Sequence, residues 1–220
     1  MARQNQTPEI KAIYPFWQDS RYTTPEIARM LLGCLLVHEE PESGDVLSGW
    51  IVETEAYLGA KDRAAHVYGG KHTKALDAFY HSAGTLYLYT IHGHVALNMI
   101  TQTPDIPEGV LIRALEPYQG MDAMTQSRQQ TGVNLTNGPG KLTEALAIER
   151  AAHYGTNILT PPLYLDLTQR RVPRAIESTP RIGIPNKGEW TDKPLRYFVS
   201  GNPYVSKLPK RSRRSDHGWR

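Results

Sequence analysis

The sequence predicts an α+β fold: one mixed domain around a mainly antiparallel β-sheet, with helices around it. Three observations point there. The chain has 220 residues, a length that buries a sizeable core within one domain. Its strand-like runs are punctuated by turn clusters, the pattern of hairpins. Short helical stretches are mixed among these runs, and no linker, repeat or low-complexity segment divides the body.

The elements follow in order. Residues 1–15 are polar and predict a flexible N-terminus. Thr24-Pro25-Glu26 opens a helix, with Thr24 as the N-cap and Pro25 at the first helical position. Ile27, Met30 and Leu31 give it an apolar stripe, and Gly33 ends it. Cys34 to Glu39 reads as a strand, Pro41 to Asp45 as a turn, and Val46 to Glu55 as the returning strand. Further strand-like runs are Thr85 to Ile91, Val110 to Leu115, Leu163 to Leu167 and Leu195 to Val199. Between them, Met121 to Gln130 and Gly140 to Glu149 read as helical. The body thus spans 16–206.

Composition narrows the function classes. The net charge of +3 permits a polyanionic partner without demanding one. The basic excess gathers at the end: residues 207–220 carry six Lys/Arg against one Asp, which predicts a disordered basic tail. A single cysteine, Cys34, makes no internal disulfide and reads as a small buried hydrophobe. Neither a signal-peptide core nor a run of membrane-spanning length is present, so a cytoplasmic protein with no membrane partner is expected.

Several stretches carry side chains able to do chemistry. On a strand, Glu53, Glu55 and Tyr57 share one face, which makes either a catalytic edge or a solvent face. Tyr87 and Tyr89 repeat that spacing and suit either core packing or base stacking. His66 by itself reads more readily as a satisfied surface or core histidine than as a catalyst. Arg113 interrupts an apolar strand, and a buried arginine needs an anion, for which Glu53 or Glu55 is the candidate. His92 and His94 with the two glutamates would make a metal site, but no established ligand pattern supports one, so no metal is expected. Asn137-Gly138-Pro139-Gly140-Lys141 leads into a helix and suits either a phosphate or a plain helix start.

Together these stretches resemble the alkyladenine (3-methyladenine) DNA glycosylase family, over about Thr24 to Ser206. The carrying motifs are Glu53-Thr-Glu-Ala-Tyr-Leu-Gly59 with Ala64-Ala-His66, Gly84-Thr-Leu-Tyr-Leu-Tyr89, Leu111-Ile-Arg-Ala-Leu-Glu-Pro117 and Asn137-Gly-Pro-Gly-Lys-Leu142. Arg181-Ile-Gly-Ile184, Gly188-Glu-Trp190 and Lys193-Pro-Leu-Arg196 complete the set. The resemblance implies a curved antiparallel sheet and no metal or cofactor. It implies that Glu55 is the general base, and that Arg113 and the carbonyl of Ile182 help hold the attacking water. Tyr57, His66 and Tyr89, with Ala64, would wall a pocket for a flipped base, and Asn98 would discriminate among purines at its floor. His92 stands where many relatives carry a wedging tyrosine, and His92, Gly93 and Lys141 are the expected DNA contacts. The stretch from His92 to Asn98 is one residue shorter than in many relatives.

The expected activity is that of a monofunctional glycosylase, a nucleoid-associated monomer acting on double-stranded DNA with damaged purines. The lesions would be 3-methyladenine and 7-methylguanine, with hypoxanthine and ethenoadenine as further candidates. Three rival readings are a metal-dependent hydrolase using His92 and His94, a lesion-binding protein without turnover, and an RNA-directed relative.

Overall fold

A computed structural model describes residues 14–220 of the chain. Apart from Tyr14 and Pro15, the N-terminal segment expected to be flexible lies outside the described residues.

The architecture is the predicted one, an α+β domain on a sheet of eight strands whose neighbours all pair antiparallel. Its spine is β2 (Val46–Tyr57). One edge of β2 pairs with β5 (Gly109–Gln119) along nearly its whole length. The other edge is shared: β1 (Cys34–Glu39) covers its first half and β8 (Arg196–Val199) covers Glu53 to Glu55. Beyond β5 lie β4 (His94–Ile100) and β3 (Leu86–Ile91). On the other side, β6 (Leu163–Arg170) pairs with β1, and β7 (Ile176–Thr179) pairs with β8.

From Leu47 to Ala56, β2 is buried at every position, so both of its faces are covered. Its apolar residues Leu47, Trp50, Ile51, Val52 and Ala56 belong to the main core. The solvent-face reading of Glu53 and Glu55 is therefore excluded: both are 0% exposed. The β2–β5 register slips on each side of Glu53, and such bulges re-aim side chains where a strand must present them out of step.

Helix α1 (Thr24–Met30) packs on β2, with Ile27 fully buried, a burial of the kind that contributes about 1.5–3 kcal/mol. Its N-cap is Thr23, not Thr24: the Thr23 amide and hydroxyl both donate to Glu26 Oε2, at 2.8 and 2.7 Å. Thr24 is buried instead, and its hydroxyl donates to Glu108 at 2.6 Å. Helix α2 (Met121–Arg128) closes on Gln129 at a left-handed φ of 52°. Helix α3 (Pro139–Ala145) lies against β4 and is shorter than the sequence suggests, because Ala147 turns left-handed and a separate turn, α4 (Arg150–His153), follows. Cys34 is buried, and burial pushes its thiol up to about 11. Among the described residues, no helix is long and apolar enough to cross a membrane.

Residues 207–220 do not behave as the loose tail that their charge predicts. Trp219 is buried and its indole N–H donates to Glu116 Oε2 at 2.8 Å. It bridges antiparallel to Pro173, and the Arg220 amide donates to the Val172 carbonyl at 3.0 Å. Asp216 pairs with Arg214 at 2.9 Å and Arg174 at 3.1 Å. The charge count does not register Trp219, a large aromatic whose burial and hydrogen bond to Glu116 anchor the segment.

Candidate active site

The bulged part of β2 holds two carboxylates in different settings. Glu53 is the structural one. Arg113 Nε from β5 reaches its Oε1 at 3.1 Å, and Arg196 Nε from β8 reaches the same oxygen at 2.6 Å. The Ser206 amide donates to its Oε2 at 2.8 Å, and the Ser206 hydroxyl adds a further bond. Every side of Glu53 is taken.

Glu55, two residues on, has fewer partners. The Ile182 amide donates to its Oε1 at 2.8 Å, and Arg113 Nη1 lies 3.3 Å from that oxygen. The Tyr57 hydroxyl donates to its Oε2 at 2.9 Å. Burial pushes the Glu55 carboxyl up, Arg113 and the two hydrogen bonds pull it down, and burial prevails. Burial also holds the Tyr57 phenol well above its ordinary value, with Glu55 adding to the effect, so Tyr57 keeps its proton and donates. Arg113 is pulled down by burial, but Glu55 and Glu53 outweigh this and hold it charged. Since a carboxylate oxygen has about two lone-pair sites, Oε2 retains one for a further donor.

Beside this cluster opens a cavity of about 370 Å³. Tyr57, Ala64, His66, Tyr89, Asn98 and Arg113 line it, as does Ile182, whereas Glu55 does not line it and touches it only through Tyr57, Arg113 and Ile182. His66 stands at the mouth, its Nδ1 2.8 Å from the Tyr87 hydroxyl and its ring edge-on to Tyr89 at 4.5 Å. Burial and the nearby Lys71 hold His66 below its ordinary value, so near neutrality it is an uncharged imidazole with one donor and one acceptor. Asn98 pairs with Tyr87 across β3 and β4, and its side-chain amide donates to the Tyr87 carbonyl at 3.2 Å. The His92–Asn98 stretch brings Asn98 to the cavity.

His92 and Gly93 are the two-residue turn between β3 and β4, with φ of 49° and 80°, the positive pair that a tight hairpin of this kind requires. His92 is exposed at the tip, beside the half-exposed Ile91. The hairpin packs against the start of α3 so closely that a Cβ on Gly140 would lie 2.5 Å from the His94 Cβ. Lys141 is not among the cavity residues; its ammonium donates to Asn137 Oδ1 at 2.7 Å. His92 and His94 do not join the glutamates: among the described residues, no group of three or more His, Cys, Asp or Glu is placed to hold a metal ion.

Sequence reasoning missed two parts of the site. One is the aromatic support of the cavity, where Tyr87 stacks on Tyr89 with centroids 5.8 Å apart and Phe79 packs tilted against Tyr87 at 4.4 Å. Their signal was the Tyr87–Tyr89 spacing, but the partner from the loop could not be paired with it. The other is Arg181 with Asp62, both buried and joined by two hydrogen bonds of 2.6 and 3.0 Å. Asp62 lies between two motifs in the sequence and carries no pattern of its own.

Comparison with known proteins identifies the family of the chain. The family model described as methylpurine-DNA glycosylase (MPG) matches residues 18–203. A protein of Enterococcus faecalis is 51% identical over 200 residues, covering 90% of this chain and 86% of its own. One of Lactiplantibacillus plantarum is 49% identical, covering 91% of this chain and 95% of its own, and one of Staphylococcus saprophyticus is 47% identical, covering 90% and 96%. All three carry the name "Putative 3-methyladenine DNA glycosylase". On the match over 18–203 and these identities, the chain belongs to the methylpurine-DNA glycosylase family.

Proposed function

We propose that the chain is a monofunctional DNA glycosylase that takes an alkylated purine out of the duplex and hydrolyses its bond to the sugar. The observation that supports this most is the position of Glu55: a fully buried carboxylate joined to Tyr57, Ile182 and Arg113, three residues that line an aromatic cavity, with one lone pair of Oε2 not taken by a protein donor.

A base inside a duplex is out of reach, so the nucleotide must rotate out, at a cost of a few kcal/mol. Stacking on Tyr57, His66 and Tyr89 offsets that cost. A purine alkylated at N3 or N7 is cationic and gains about 0.5–2 kcal/mol more on aromatic faces, which a normal purine does not. Asn98 at the cavity wall reads the purine edge. Cleavage passes through a sugar cation, as in glycoside hydrolysis. Glu55 takes the proton of the attacking water at Oε2 and its charge faces the developing cation. Arg113 and Ile182 hold the other oxygen, which keeps the carboxylate aimed. Among the described residues no lysine lines the cavity, which supports hydrolysis by water over a covalent imine route. At the hairpin tip, His92 fills the space left by the flipped nucleotide and Gly93 allows close approach to the duplex. Lys141 adds a cation beside the backbone.

The test is base release from duplexes that each carry one lesion: 3-methyladenine, 7-methylguanine, hypoxanthine or ethenoadenine. Release of at least one base with an intact sugar backbone is expected. Tight binding without release, under single-turnover conditions, would leave a lesion-binding protein instead.

A further inference from the structure

We propose that the buried Arg181–Asp62 pair is a positioning element of this site, holding the Ile182 amide on Glu55 and the Tyr57 ring against the cavity. The proposal rests on Glu55 as the base.

Both side chains are 0% exposed. The guanidinium meets Asp62 with two hydrogen bonds, Nη1 to Oδ2 at 2.6 Å and Nη2 to Oδ1 at 3.0 Å. Its remaining bonds end on backbone carbonyls, Nη1 on Ala56 at 3.0 Å and Nη2 on Trp190 at 3.3 Å. Asp62 in turn accepts the amides of Leu58 at 3.1 Å and Ala64 at 2.9 Å. The guanidinium carbon lies 4.6 Å from the centre of the Tyr57 ring.

These contacts end at functional positions. Ala56 and Leu58 flank Tyr57, so the pair grips the strand on each side of that ring. The guanidinium covers one face of Tyr57 while the ring also lines the cavity. Ala64 is itself a cavity wall. Ile182 follows Arg181 directly in the chain, so fixing Arg181 fixes the amide that donates to Glu55 at 2.8 Å. A buried ion pair adds little net stability over well-packed apolar residues of similar volume, so the geometry it holds is the contribution proposed for it here.

Two consequences differ from those of a pair that only holds the fold. First, displacing Ile182 removes a hydrogen bond to the charged form of Glu55, so the base ionises at higher pH. The other groups facing Glu55 are Arg113 from β5, Tyr89 from β3, and Tyr57 and Glu53 on its own strand, with Arg196 from β8 on Glu53. Of these only the ring of Tyr57 touches the pair, so Arg113, Tyr89 and Glu53 keep their contacts when the pair is altered, while a looser Tyr57 would weaken its own bond to Glu55 and move the carboxyl in the same direction. Second, a shift of the base by about 1 Å costs up to about 100-fold in rate.

The experiment compares Arg181→Gln, Arg181→Lys and Asp62→Asn in the full chain, with release of 3-methyladenine from methylated duplex DNA as the readout. Single-turnover rates are measured across pH, beside thermal melting and Glu55→Gln as control. Arg181→Gln is expected to lose about 10- to 100-fold in rate and to move the acidic limb of the profile to higher pH. Arg181→Lys, which keeps the charge opposite Asp62, is expected to recover part of both. If Arg181→Gln does not fold, Asp62→Asn, which keeps the shape of the side chain and an acceptor for one of the two amides of Leu58 and Ala64, carries the same expectation. Folded variants that melt lower but keep the parent rate and acidic limb would overturn the proposal and leave the pair structural. An active Glu55→Gln would instead overturn Glu55 as the base, whatever the Arg181 variants do.

Discussion

The Tyr57 hydroxyl donates to Oε2 of Glu55 at 2.9 Å, from a ring two residues along the same strand. One face of β2 therefore supplies both a carboxylate and a wall of the cavity beside it. Under the proposed function, one strand register would then both stack a base and aim a carboxylate at its sugar.

Glu55→Gln should lose about 10²–10⁴-fold in base excision while retaining lesion binding. The amide keeps the shape of the carboxylate but cannot take a proton. Single-turnover release and a binding titration on the same duplex check this. A rate within a few-fold of the parent would remove Glu55 from the chemistry.

Acid should slow the enzyme before an ordinary glutamate would protonate. Burial raises the Glu55 carboxyl above its ordinary value of 4.5, and its base form is lost as pH falls through that raised value. Tyr57→Phe removes a hydrogen bond to the charged form, so the carboxyl moves further up and the acidic limb moves to higher pH. The ring remains, so base stacking is kept. A pH–rate profile with the limb in the same place for both proteins would contradict this.

His92→Ala should lower the fraction of flipped nucleotide, and His92→Tyr should equal or exceed the parent. His92 is exposed on the tip of the hairpin whose strand carries Tyr87 and Tyr89, so wall and wedge move as one piece. A fluorescent base analogue beside the lesion reads the equilibrium. If alanine flips as well as the parent, the wedge is a neighbour such as Ile91 or His94.

Trp219→Ala should destabilise the whole domain by about 3–5 kcal/mol, measured by urea unfolding. Trp219 is buried and donates to Glu116, which also accepts from Asn202 at 2.6 Å. Burial pushes the Glu116 carboxyl up, but Trp219, Asn202, His217 and Arg171 outweigh it and hold the group below its ordinary value. A carboxyl lowered by folding contributes stability at neutral pH that is lost as pH falls through the folded value. The parent should therefore lose more stability on acidification than Trp219→Ala does. A tail that can be removed without any change in unfolding would refute this.

The sequence carried the paired strands well, because each is a run of apolar residues between turn formers. Cys34–Glu39 is reproduced residue for residue, and β2 extends two residues past the expected Glu55. β4 was not expected: His94 to Ile100 is almost wholly apolar after two histidines, and its alternation is hidden because Ala96 to Ile100 are all buried. At the site, residues in contiguous motifs were legible and those that act through tertiary contact were not. Glu55, Tyr57 and Tyr89 belong to motifs that repeat every second residue. Asp62 meets Arg181 across 119 positions, and no local pattern encodes such a pairing.

The single thiol of the chain has a bearing on survival under chemical attack. Electrophiles that methylate purine nitrogens also react with thiolates, since the deprotonated sulfur is the nucleophile. Cys34 is enclosed by the core, and with its thiol pushed up to about 11 it holds its proton at physiological pH. Nor does any other residue of the 220 offer a thiol. A dose of methylating agent that damages the genome would thus spare the one thiol of this chain.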